Sequence, residues 1–239
     1  MTTPVERPDP ARGVFTTILV RGGAVVDFGA HLDRLERSVR ELYGRTLPRE
    51  FEEWITVGAS ELPLGRLRVL VAAGRRRPAA VEIDAHPLDR EPEAEPARLA
   101  PAYLRGGLGP HKWRDRRLVE KLERSAGALP LIVDLDGEVL EAATANVLIV
   151  EGTALITPPL DGRLLPGTVR ARALAAASAA GLEPREEPVP LERLEAADEV
   201  LLSSAIAGVR PATLAGPAPF AVGAQLRRAL REPDLVEVR

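Results

Sequence analysis

After a proline-rich start, the run VFTTILVR at residues 14–21 is apolar and β-branched, the pattern of a strand. Gly22-Gly23 and then Ala24-Val25-Val26 follow it, which predicts a hairpin closed by a two-residue turn. From His31 the period changes: Leu32, Leu35, Val39 and Leu42 recur at helical spacing, and Gly44 stands where such a helix would end. A second helix is predicted over 50–60. Strands are predicted over 66–72, 79–85 and 98–103, with Gly-, Pro- and charge-rich turns between them. This half reads as an antiparallel sheet with helices, an α+β pattern.

Three glycines and a proline in Arg105-Gly106-Gly107-Leu108-Gly109-Pro110 interrupt both periods, so residues 105–110 read as an interdomain linker. The expected division is a small α+β domain over 1–104 and a larger domain over 111–239. In the larger domain the pattern predicts a helix over 118–126, a strand over 131–134 and a turn at Asp136-Gly137. Further strands are predicted over 138–140, 146–150 and 153–156. An alanine-rich helix follows over 167–180 and stops at Gly181, then come strands over 199–202 and 206–213 and a last helix over 222–230. There is no internal repeat.

The charge changes this picture little. At a formal −3, with acidic and basic residues interspersed, the chain has no sustained positive field for a nucleic-acid backbone, and Arg75-Arg76-Arg77 reads as a solvated turn. Cysteine is absent, which excludes disulfides, a thiolate nucleophile and a Cys-based metal site. His31, His86 and His111 are too dispersed for a metal site to be expected. No apolar stretch reaches the length of a membrane span and the first residues lack the apolar core of a signal peptide, so cytoplasmic residence is expected. Lysine is the informative residue. The chain has 30 arginines and two lysines, Lys112 and Lys121, and only lysine can lose its proton and attack a carbonyl.

The stretch from Pro130 to Arg170 carries an ordered set of motifs: Glu141, four small residues, Asn146, an apolar strand, Thr157-Pro158-Pro159, then Leu165-Pro166-Gly167-Thr168 before a helix. It resembles the central block of the fold-type IV pyridoxal 5′-phosphate (PLP) enzymes, the class-IV aminotransferase superfamily. Gly13-Val14-Phe15-Thr16-Thr17, Ala30-His31-Leu32-Asp33-Arg34-Leu35, Lys112-Trp113-Arg114-Asp115-Arg116 and Ser203-Ser204-Ala205 extend the resemblance in the right order from residue 13 to about 215.

The resemblance implies a two-domain fold, a small α+β domain plus a larger β-barrel-like one with PLP between them, and a homodimer whose partner subunit helps to wall the site. It implies that Lys112 carries PLP as a Schiff base and then shuttles protons, and that Glu141 pairs with the pyridine nitrogen. Arg34, Gly167, Thr168, Val169 and one of Ser203 and Ser204 would serve the phosphate, with Asn146 in the same cofactor set. Lys121 lies in VEKLER, where a solvated surface lysine is the ordinary outcome. The substrate is expected to be a small amino compound attacked at Cα. The wording FTTILVRGG and the run 203–211 lean toward 4-amino-4-deoxychorismate lyase, which releases pyruvate and yields 4-aminobenzoate. An amino-acid aminotransferase is the alternative, and a non-catalytic family member a third reading.

Overall fold

The computed structural model describes residues 7–73 and 80–230 together with the backbone of Leu235–Val236. The expected turn at Arg75-Arg76-Arg77 lies outside the described residues. The chain divides into two compact units: Met1–Glu91, His111–Leu118 and Pro233–Arg239 form the first, Pro92–Pro110 and Val119–Glu232 the second.

The first unit begins with β1 (Val14–Arg21) and β2 (Ala24–Val26), paired antiparallel around Gly22 (φ 58°) and Gly23 (φ 79°). Both turn residues have positive φ, which glycine adopts without steric cost, so the predicted hairpin forms. After α1 (Phe28–Tyr43) and α2 (Phe51–Ser60) come β3 (Leu64–Ala72) and β4 (Ala80–Pro87). The sheet runs β2-β1-β3-β4, with the short strand Leu235–Val236 added to β2. Val14, Ile18 and Val20 of β1 and Leu67, Val69 and Val71 of β3 meet Leu35 and Val39 of α1 and Phe51, Ile55 and Ala59 of α2 in one core. Helix α1 starts three residues before the expected His31. Buried Asp27 turns the chain there with φ 55°, the one positive φ outside glycine among the described residues. It ends as predicted, with left-handed Gly44 donating its N–H to the Arg40 carbonyl at 2.9 Å.

The second unit contains β5 (Ala97–Tyr103), most of α3 (Arg117–Ala126), β6 (Leu129–Val133), β7 (Glu138–Ala142), β8 (Ala145–Glu151), β9 (Ala154–Thr157) and α4 (Thr168–Ala176). It continues with β10 (Glu183–Glu186), β11 (Val189–Pro190), α5 (Leu191–Ala196), β12 (Glu199–Ser204), β13 (Gly208–Thr213) and α6 (Ala221–Ala229). Strands β8-β12-β13-β5-β6-β7 are hydrogen-bonded in that order, and β7 pairs back onto β8, so these six close into a barrel. Leu99, Leu131, Val133, Val139, Val147, Ile149, Val200 and Leu202 fill one side of the wall. Leu148, Val150 and Leu201 pack on its other side against Val169 and Ala173 of α4 and Leu226 of α6. A wall buried on both faces explains why β8 reads as a continuous apolar run instead of an alternating one.

Two expectations about domain limits are corrected. Residues 98–103, read as part of the first antiparallel sheet, belong to β5, which pairs in parallel with both β13 and β6 in the barrel. Periodicity gives the strand but not its partner. Residues 105–110, expected as an interdomain linker, form a docked turn that ends where the chain passes from the second unit to His111 of the first. Gly107 (φ 61°) lies so close to the Arg163 carbonyl that a Cβ would collide with it, and the Gly109 N–H donates to that same oxygen at 3.0 Å. The boundary at 111 moves as well, because His111–Leu118 packs with the first unit.

Candidate active site

In the first unit, Lys112 sits on a segment held from several sides. Its carbonyl accepts from the Phe15 N–H at 2.8 Å, and the Arg114 N–H donates to the Gly13 carbonyl at 3.0 Å, so the segment continues the ladder of β1. His111 Nδ1 meets the Ser38 hydroxyl of α1 at 3.0 Å, and its ring lies edge-on to Trp113 at 5.2 Å. Asp115 accepts from the Asp9 N–H at 3.0 Å and from Arg117 Nε at 2.9 Å. The Arg117 hydrogen bond is the main reason its carboxyl stays well below the usual carboxylate range. The Lys112 Nζ lies 5.2 Å from the centroid of the Phe15 ring.

Arg34 and His31 stand three residues apart on the buried face of α1. Arg34 Nη2 donates to Thr16 Oγ1 at 2.9 Å, and the same hydroxyl meets His31 Nδ1 at 2.7 Å. Burial pushes Arg34 down to about 10. His31 is pushed down to about 3, first by burial and then by the positive charges of Arg34 and Lys112. Its ring is therefore neutral at physiological pH.

In the second unit the expected residues fall on one row across the barrel wall. Glu141 of β7 is in register with Asn146 of β8, and Asn146 with Ser203 of β12. Directly opposed residues project to the same side of a sheet. Glu141 Oε2 accepts from the Leu165 N–H at 3.3 Å, and Asn146 Nδ2 donates to the Leu165 carbonyl at 2.7 Å, so the turn before α4 is tied to this row. Gly167 caps α4 without a side-chain hydrogen bond, and a Cβ there would collide with Asn146 Oδ1. Thr168 and Val169 form the first turn. Val169 sends its side chain into the core, leaving its amide as the group it could offer a ligand. Ser203 Oγ is buried and makes no hydrogen bond, whereas Ser204, one step along the strand, is half-buried and on the other side. Lys121 lies on α3, exposed.

These groups fit PLP. A buried hydroxyl with no partner, a glycine with no room for a side chain and an uncapped helix N-terminus suit an anion. A buried carboxylate suits a protonated ring nitrogen, and a lysine amine beside an aromatic ring suits a carbonyl carbon. Thr16, His31, Ser38 and His111 were not anticipated as part of the site. For His31 and Ser38 the signal lay in polar residues 31, 34 and 38 recurring at helical spacing within an otherwise apolar stripe, whereas Thr16 and His111 carried none.

The family model for amino-transferase class IV matches residues 13–215. The chain belongs to this family. Class-IV amino-transferases are PLP-dependent enzymes. The branched-chain-amino-acid aminotransferase of Salmonella typhimurium is 35% identical over 81 residues, a match that spans 34% of this class-IV chain and only 26% of the relative. A fold IV-transaminase from Curtobacterium pusillum superposes with a TM-score of 0.79 at 20% identity, covering 90% of this chain and 81% of that one. A Legionella pneumophila chain named, provisionally, 4-amino-4-deoxychorismate lyase gives 0.78 at 22% identity, covering 95% and 94%. The fold of this class-IV family member is thus the fold-type IV architecture. Among the described residues no helix is long and apolar enough to cross a membrane, and no group of His, Asp and Glu could hold a metal ion.

Proposed function

We propose that this chain is a PLP-dependent enzyme that acts at Cα of a small amino substrate, with Lys112 as the amine that carries the cofactor. The observation that carries the reading is the placement of Lys112: of the two lysines, it alone lies on a segment hydrogen-bonded into β1 and tethered to α1, with its amine against Phe15. When bound, PLP supplies an electron sink for the negative charge that develops at Cα. As the family resemblance implies, Lys112, Arg34, Glu141, Gly167, Thr168, Val169 and Ser203 would hold it. Asn146 would act by bracing the Leu165–Gly167 turn. Glu141 would keep the ring nitrogen protonated, Gly167 and Thr168 would offer amides and a hydroxyl to the phosphate, and the Lys112 amine would take and return the Cα proton.

Elimination of pyruvate from 4-amino-4-deoxychorismate is the first activity to assay, because the FTTILVRGG wording of β1 and the 203–211 run lean that way. Amino-acid transamination is the second reading, favoured by the 35% identity to a branched-chain-amino-acid aminotransferase over 81 residues. Both reactions begin with loss of the Cα proton and use the same residues. Assembly as a homodimer is part of the proposal and rests on family resemblance. The test is a spectrum of the purified protein with PLP, followed by 4-amino-4-deoxychorismate in one cuvette and amino acids with a 2-oxo acid acceptor in others. Pyruvate with 4-aminobenzoate establishes the lyase, and a new 2-oxo acid establishes the aminotransferase. A protein that gains no absorbance band with PLP would overturn both.

A further inference from the structure

We propose that Thr16 and His31 are positioning residues that fix the Arg34 guanidinium as the anchor for a phosphate monoester, through a directed relay of hydrogen bonds from Arg34 to Thr16 to His31. The inference rests on the PLP reading above and deepens it.

The three residues come from two elements. Thr16 lies on β1, and His31 and Arg34 lie one turn apart on α1. Thr16 and His31 are each 1% exposed and Arg34 is 8% exposed, so water cannot be the main partner of their polar atoms. The Thr16 oxygen accepts from Arg34 Nη2 at 2.9 Å. Arginine has no acceptor, so the Thr16 hydroxyl proton must point elsewhere, and the 2.7 Å contact to His31 Nδ1 is where it goes. Nδ1 then accepts, and the ring proton is on Nε2. This tautomer is assigned from the network.

The relay requires an uncharged His31. A protonated ring would donate from Nδ1, the Thr16 oxygen would receive two donors, and its own buried proton would lose its acceptor. The ring would also add a third positive charge beside Arg34 and Lys112. Burial and those two cations keep the ring neutral, in agreement with the geometry. One arm of the planar guanidinium is thereby committed to a fixed oxygen, which sets its plane before any anion arrives. A pre-set fork loses less freedom when it binds a phosphate than a free one does. Thr16 and His31 need not touch the cofactor to govern its affinity.

The prediction separates phosphate recognition from everything else Lys112 does. Binding of PLP, and of pyridoxal, which lacks the phosphate, is titrated by absorbance for the parent and for Thr16→Val, Thr16→Ser and His31→Gln. Thr16→Val keeps the β-branched shape that a strand favours, so it tests the hydroxyl while sparing the fold. Hydrogen bonds to charged groups contribute enough that its Kd for PLP should rise roughly tenfold to a hundredfold. Its pyridoxal Kd should stay at the parent value, and Thr16→Ser should return PLP binding toward the parent. His31→Gln should fall between Thr16→Val and the parent. Parental PLP affinity in Thr16→Val, or equal weakening of PLP and pyridoxal, overturns the inference alone, since the first removes the relay's effect and the second marks a general structural role. A parent protein that binds neither compound overturns the cofactor reading and the inference with it.

Discussion

At the scale of single residues, two lysines in a chain of 30 arginines pose a clean contrast. Lys112→Ala should lower turnover by roughly 10²–10⁴-fold, the usual contribution of a positioned proton-transfer group, while Lys121→Ala leaves it unchanged. Lys112→Arg should fail as badly as Lys112→Ala, because a guanidinium keeps its proton. Equal turnover in parent and Lys112→Ala would sink the assignment. His31 offers a second test, on stability. Its folded pKa of about 3 lies below the ordinary 6.5, so below pH 6.5 the unfolded chain takes up a proton that the folded chain refuses. Stability from this group is complete above pH 6.5 and is lost as pH falls toward 3, by up to about 1.4 kcal/mol per pH unit. Urea titrations from pH 7 to pH 4 should show a shallower decline for His31→Gln than for the parent. Parallel curves would contradict the buried neutral ring. Lys112 and Lys121 stood out in the sequence because their chemistry is unique to their residue type, and the family motif around residue 112 chose between them. The tie of His31 to Thr16 was not, because it joins a helix to a strand and leaves no mark on either period.

Elements show the same division between local and distant causes. The hairpin of β1 and β2, the end of α1 at Gly44 and the start of α4 after Leu165-Pro166-Gly167 were all readable, since each is fixed by neighbours in sequence. Strand β10, with the wording EPRE, has every residue exposed and no alternation, so nothing local announces it; it exists because it lies parallel to β9. Helix α6 depends on a partner far along the chain. Glu199, 4% exposed at the start of β12, accepts from the Val222 and Gly223 N–H groups at 2.8 Å each and so caps α6 from outside the helix. Glu199→Ala should leave two amides without acceptors and cost about 1–3 kcal/mol in denaturant unfolding. A loss below about 0.5 kcal/mol, ordinary for a surface change, would mean that the cap carries no weight.

For the molecule as a whole, the α+β class and the barrel were accessible through family motifs, but the row that aligns Ser203, and not Ser204, with Asn146 and the limits of the two units were not. Those limits depend on which strand β5 joins and on where residues 111–118 pack, and both are long-range choices. If PLP binds the native state alone, saturation at about 100 times its Kd should add about 2.7 kcal/mol to stability and raise Tm accordingly. Scanning calorimetry with and without PLP measures this, and an unmoved Tm at saturation would count against cofactor binding by the folded chain. The parallel pairing of β5 with both β6 and β13 also reaches beyond the finished structure. On the ribosome, Ala97–Tyr103 is made early, while the strand that covers its second edge, Gly208–Thr213, lies far downstream. A nascent chain stopped short of residue 208 holds an open ring with an unguarded edge, a template for another chain's strand. Barrel closure is therefore a late event in biogenesis, and chaperone demand should peak just before it.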